Sequence, residues 1–208
     1  MIDLENNKSF VDKLSDFFSN NLKYIILFFI SLILLIIFFQ YYSYHNENKN
    51  NELSLMFDQQ RNNYNSQNFD ETMNNLAKEN GIFSILANIE IIKKSLKNKN
   101  YDFAYNKYIE ILNSSSKDSI YNSLISLHGA YNLIDYVNND KIIVLISYID
   151  ESYINLLGYK KEINYLLAVK NNDKYQRDLL FSEITDNENI SPKIKDRVRK
   201  INEFEKYK

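Results

Sequence analysis

Between Tyr24 and Phe39 the chain reads YIILFFISLILLIIFF, sixteen residues of which fourteen are Leu, Ile or Phe and none is charged. A block apolar on every side has no face to offer water, so it is solvated by lipid or by the deep core of a large protein. At about −0.3 to −0.6 kcal/mol per residue on an insertion scale, it favours a bilayer by roughly 6 kcal/mol. Sixteen residues at about 1.5 Å each fall a little short of a hydrocarbon core of roughly 30 Å. The flanks make up the difference: Leu22 and Lys23 before the block, Gln40-Tyr41-Tyr42-Ser43-Tyr44 after it. Lys23 can snorkel and the tyrosines suit the interface. These features predict a short N-terminal segment over residues 1–21, a transmembrane helix over 22–44 and a soluble domain over 45–208.

A cleaved signal peptide requires a short basic lead and a small-residue cleavage site. Here the lead exceeds twenty residues and carries Asp3, Glu5, Asp12 and Asp16, and the block ends in bulky tyrosines. The expectation is an uncleaved anchor. Lys8, Lys13 and Lys23 precede it, whereas Lys49 and Arg61 are the first basic residues after it. The positive-inside bias puts the N-terminus in the cytoplasm and the rest of the chain, in a bacterium, in the periplasm.

Beyond Glu47 apolar residues recur at helical spacing, with almost no strand-like alternation. The stripes are Leu53, Met56, Phe57, Gln60 and Tyr64; Phe69, Met73 and Leu76; Ile85, Leu86, Ile89, Ile92 and Leu96, after a break at Gly81; and Ala104, Tyr108, Ile111 and Leu112. Leu124, Leu127, Tyr131 and Ile134 follow, then Ile142, Leu145, Ile146 and Ile149. Ile163, Leu166 and Leu167 pair with Tyr175, Leu179 and Leu180, and the last stripe is Ile194, Val198, Ile201 and Phe204. Ser191 reads as the N-cap of that last helix, with Pro192 at its first position. Asn-rich turns marked by Asn68, Asn100, Asn139 and Asn172 stand 32, 39 and 33 residues apart, each with an acidic residue within two positions. Asn favours turns, an acid suits a helix N-terminus, and tetratricopeptide-type hairpins repeat at about 34 residues. The fold class expected is all-α: one transmembrane helix, then a tetratricopeptide-like array of helical hairpins. A non-repetitive bundle is the alternative.

The layout resembles the ancillary subunits of the bacterial SecYEG translocon, the YfgM-like proteins with a tetratricopeptide-like periplasmic domain. The likeness runs through FVDKLSDFFSNN before the anchor, the exit QYYSY, the segment KENGIFSILANIEIIKKSLKNKNYDFAYNKYIEIL, the stretch SIYNSLISLHGAYNLI and the helix from Pro192. The chain departs from the repeat consensus in its few small residues, with only Ala87, Ala104, Ala130 and Ala168 at plausible helix contacts. The resemblance implies a periplasmic domain that contacts the translocon and a membrane-anchored chaperone of the peptidyl-prolyl isomerase type.

Little in the residues points to catalysis. There is no cysteine, which removes disulfides, thiolate nucleophiles and Cys-ligated metals. His45 and His128 are far apart and lack clustered ligands, and three isolated glycines make no phosphate-binding loop. Asp150 and Glu151 are adjacent and point apart on a helix, so they read as a solvated helix end. With 25 basic against 27 acidic residues, no phosphate-neutralising stripe is expected. No cofactor, metal, nucleic acid or small-molecule substrate is therefore expected.

Two surfaces stand out. Tyr121, Ile125, His128, Asn132 and Asp135 recur along one helix face; the first helix of each hairpin lines the concave side of such arrays, where partners dock. In the last helix Lys193, Lys195, Arg197, Arg199, Lys200, Lys206 and Lys208 outnumber three acids; this reads first as a solvated basic helix, with contact to anionic lipid or an acidic partner as the alternative. The expected function is a membrane-anchored, non-enzymatic protein-interaction module linking translocon and periplasmic chaperone. The alternatives are a scaffold subunit of another envelope complex and an anchored hydrolase.

Overall fold

The computed structural model describes residues 10–114 and 119–207. Asp3, Glu5, Lys8 and Lys208 lie outside them. All elements among the described residues are helices, in two compact units that divide between Met56 and Phe57.

The first unit is built on α1 (Phe10–Gln60), which is unbroken through Tyr44 and continues well beyond it. The stripe from Leu53 to Gln60 therefore lies on the same helix as the apolar block. Apart from half-buried Ile25, the large apolar residues of the Tyr24–Phe39 block are exposed, from Leu32 at 40% to Tyr24 at 73%. Among the described residues this is the one helix long and apolar enough to cross a membrane. Past the block, Tyr41 stacks on His45 one turn later, at 6.5 Å between centroids.

The second unit holds α2 (Phe69–Ala77), α3 (Ile82–Lys97), α4 (Tyr101–Asn113), α5 (Ser119–Leu133), α6 (Asn139–Ser147), α7 (Ile154–Lys170), α8 (Lys174–Thr185) and α9 (Pro192–Glu205). Helices pack on their sequence neighbours in α2–α3, α3–α4, α4–α5, α5–α6, α7–α8 and α8–α9, and α7 also packs on α5 and α9. Three hairpins result, α3–α4, α5–α6 and α7–α8. The Asn markers fall where expected, at the entry to the second helix of each: Asn100 caps α4, Asn139 opens α6 and Asn172 precedes α8.

Two of these turns share one backbone geometry. Lys99 and Asn172 adopt φ of 59° and 54°. In each turn an amide reaches back across the helix end: Asn100 N to the Ser95 carbonyl at 2.8 Å and Lys99 N to Leu96 at 3.0 Å, then Asp173 N to Ala168 at 2.9 Å and Asn172 N to Val169 at 3.0 Å. This is the Schellman closure, which satisfies the last carbonyls through one left-handed residue. The next residue caps the following helix, Asn100 accepting from Phe103 N and Asp173 from Gln176 N. Gly81, at φ 91°, sits at the N-cap of α3, the break expected there.

One core gathers buried residues of α3 to α7, and a second joins Tyr165, Ile184, Ile190, Ile194 and Val198. The stripes of α2, α4 and α6 are buried as read. Elsewhere the structure corrects them. On α3 the buried set is Ala87, Asn88, Glu90, Ile91, Ile92 and Ser95, with Ile85, Leu86, Ile89 and Leu96 only half-buried. The reason is that α3 packs on both α2 and α4, so two faces are covered. On α5 Leu124 is exposed. On α8 Tyr175 and Leu179 are exposed and Ile184 is the buried residue, and on α9 Phe204 is exposed. α8 packs on α7 and α9, and α9 on α7 and α8, which leaves these positions exposed. Ser191 is the N-cap of α9, but through its carbonyl, which accepts from Ile194 N and Lys195 N, with no hydroxyl cap. Asp150 and Glu151 stand in the turn between α6 and α7 and are not a helix end.

Candidate partner-binding face

The face on α5 is built around a glycine. At Gly129 an added Cβ would lie 3.1 Å from Cγ and Cδ1 of Tyr108, so the bare backbone lets the Tyr108 ring lie flat against α5. Tyr108 is fully buried, yet its hydroxyl reaches out to His128 Nδ1 at 2.7 Å. Asn132 sits one turn on and donates from Nδ2 to the His128 carbonyl at 2.8 Å and, at 3.5 Å, to the Tyr108 oxygen.

Burial holds the Tyr108 phenol well above its ordinary range, so it keeps its proton. With Asn132 donating to the oxygen, that proton has one acceptor among the described residues, His128 Nδ1. Burial and then the Lys93 ammonium push the His128 pKa below 6.5, so the ring is neutral at pH 7. The residue itself remains exposed, and Lys93 is held by Glu90 at 2.6 Å.

Of the five residues read from the sequence, Tyr121 and His128 are exposed on α5, and Asn132 is half-buried beside Tyr108. Ile125 does not share that surface: it is buried in the core at 7% exposure, because positions four residues apart drift across the helix and α5 is covered on several sides. Asp135 lies past the end of α5 and is exposed. Leu124, read as core, is the residue that completes the exposed strip with Tyr121 and His128. Sequence reasoning placed Tyr108 in the core and missed its hydroxyl. The available signal was a glycine inside a helix next to the histidine.

The basic helix is less free than its composition implies. Arg197 forks onto Glu162 of α7 at 2.7 and 2.5 Å, and Tyr131 of α5 donates to the same carboxylate at 2.6 Å. Glu162 is 2% exposed, so this carboxylate ties α5, α7 and α9 together. Burial and the Glu162 bond raise the Tyr131 phenol, and the Glu162 bond raises Arg197 further. Lys170 of α7 donates to the carbonyls of Ile134 and Val137, closing the end of α5. A separate cleft of about 270 Å³ lies between α2, α3 and the start of α4, lined by Asp70, Asn74, Lys94, Asn98 and Phe103 among others. No group of three or more metal-ligating side chains occurs among the described residues.

The family pattern described as a tetratricopeptide repeat-like domain matches residues 15–142, well over half of the 208. The chain belongs to the tetratricopeptide repeat-like family. No curated protein and no solved structure matches it. The match takes in the apolar part of α1 and runs through α5 to the first residues of α6. The hairpin α7–α8 lies beyond it and repeats the turn geometry of α3–α4. Tetratricopeptide repeat-like domains are protein-interaction folds. The exposed strip on α5 is carried on the first helix of the α5–α6 hairpin.

Proposed function

We propose that this chain is a membrane-tethered interaction module of the ancillary translocon type. In this reading residues 1–21 are cytoplasmic, 22–44 span the inner membrane and 45–208 form the periplasmic domain, which docks the Sec translocon and a membrane-anchored chaperone. The observation that carries the reading is the extent of the family match: the apolar helix and the first hairpins fall within one family pattern, as parts of one design. The excess of Lys8, Lys13 and Lys23 ahead of the block supports the orientation. Tethering raises the effective concentration of partners in the same membrane, so a modest surface such as the α5 strip suffices.

The test places a photoreactive amino acid at Tyr121 in intact membranes, with alkaline phosphatase fused after Lys208 in parallel. Active phosphatase and crosslinks to a translocon subunit are expected. An inactive fusion overturns the orientation. Crosslinks confined to some other envelope complex reassign the chain as a scaffold of that complex. A purified protein that turns over a substrate, with loss on a point substitution, removes the non-enzymatic reading.

A further inference from the structure

The cleft of about 270 Å³ between α2, α3 and the start of α4 takes no lining residue from α5 and has a chemistry of its own. It is built on the α3–α4 turn, where Asn98 ends α3, Asn100 opens α4 and the left-handed Lys99 closes the chain between them. Asn100 accepts from Phe103 N, which fixes the first turn of α4 and the root of the Phe103 side chain, 42% exposed. Lys94 Nζ donates to Oδ1 and Oδ2 of Asp70 at 2.7 and 2.8 Å and lies over the Phe69 ring, 4.9 Å from its centroid. Asp70 and Lys94 are the charged residues of the lining, and each neutralises the other. An anion or a cation therefore finds no free counter-charge in the cleft.

The polar capacity left over is of both kinds. Lys94 has a third proton beyond the two bonds to Asp70, and the carboxylate keeps further lone pairs. Ser95 spends its proton on the Ile91 carbonyl at 2.8 Å and can only accept. The side chains of Asn74 and Asn98 have no hydrogen-bond partner among the described residues, and each amide both donates and accepts. A matching ligand is neutral, carries several groups that donate and accept at once, and has an apolar face for Phe103. Hydroxyl groups have that dual character, and ring C–H bonds meet the negative face of an aromatic with their positive ends. The volume falls just under the roughly 300–1,000 Å³ of drug-sized sites, which leaves room for about one or two sugar rings.

We infer that this cleft binds a neutral sugar, as a single pyranose or as the end unit of a glycan. The Asp70–Lys94 pair is set before binding: the carboxylate accepts from one ring hydroxyl while the ammonium donates to the next. The C–H face of the ring lies on Phe103, and Asn74 and Asn98 take the remaining hydroxyls.

The full chain in lipid nanodiscs is titrated with N-acetylglucosamine and with methyl glucoside, followed by saturation-transfer difference NMR. Saturable millimolar binding is expected, with transfer strongest to the ring C–H protons. Phe103→Ala and Asp70→Asn should each weaken it about fivefold or more, with helicity retained by circular dichroism. Tyr175→Ala, which removes an exposed aromatic from α8, should leave it unchanged. Mannitol, which has the hydroxyls but no preformed ring, should bind about fivefold more weakly. Absence of saturable binding by both sugars overturns the inference, as does binding by folded Phe103→Ala and Asp70→Asn equal to the parent. A preference for glucose 6-phosphate shows an anion site, and a preference for tetra-alanine a peptide site; either result also overturns it.

Discussion

Gly129 and Gly158 both sit in helices, where glycine costs about 1 kcal/mol relative to alanine. A methyl group added to each meets different neighbours. At Gly129 it meets the Tyr108 ring at 3.1–3.3 Å, a buried aromatic whose hydroxyl is tied to His128. At Gly158 it meets the end of the Ile194 side chain at 3.0 Å and Cγ2 of Ile190 at 3.3 Å. Overpacking a rigid site costs about 1–3 kcal/mol. Gly129→Ala should therefore lower the unfolding free energy by about 1 kcal/mol net and disturb the His128 resonances. Gly158→Ala should change it by less than about 0.5 kcal/mol in denaturant titrations, because Ile194 can rotate aside. His128 gives a second residue-scale expectation. Its folded pKa is below the unfolded 6.5, so above pH 7 both states are neutral and the group contributes nothing. As pH falls through 6.5 the unfolded chain binds a proton that the folded ring resists, and stability declines. Unfolding followed from pH 7.5 to 5 should show this slope, and His128→Gln should remove it. Asp150, lowered by the Ser152 amide, and Glu151, lowered by Lys160, act at more acid pH, below about 4.5.

At the scale of the element, α2, α4 and α6 were legible because each buries one continuous stripe, and the periodicity of apolar residues reports that directly. The failures have a common cause. α3 is covered on two sides, so Asn88, Glu90 and Ser95 are buried despite their polarity. On α8 and α9, Tyr175, Leu179 and Phe204 stay exposed despite their pattern. Periodicity says which residues could face a neighbour; it does not say how many neighbours exist. The same limit hid part of the α5 site, since Leu124 and Ile125 exchange places once the number of covering helices is known. Leu127 was correctly read as core, at 7% exposure. Leu127→Asp should cost about 3 kcal/mol or more, by burying an unpaired charge; a thermal melt unchanged from the parent would contradict it. The turns were legible by composition but not in their backbone. Lys99 holds φ 59° without the side chain that tolerates it, whereas Asn172 is a residue that does. Lys99→Gly should raise stability by about 0.5–1 kcal/mol, and Asn172→Gly by less, measured on the same denaturation curves.

For the repeat domain as a whole, stability in an array of hairpins is mainly a sum of nearest-neighbour terms, and such arrays tend to open from their ends. The Glu162 carboxylate changes that here. Removing its cation strands a buried negative charge, and breaking a buried pair in this way costs about 3–5 kcal/mol. Arg197 is itself 48% exposed, so Arg197→Ala should fall at the lower end, about 3 kcal/mol by chemical denaturation. The consequence concerns how the array comes apart. α9 cannot peel away as a free end does, because lifting it uncovers an ion held deep between α5 and α7. In amide hydrogen exchange the protons of α9 should then not show the graded, rapid exchange of a fraying terminus. They should exchange with those of α5 and α7, so that the last helix behaves kinetically as part of the middle.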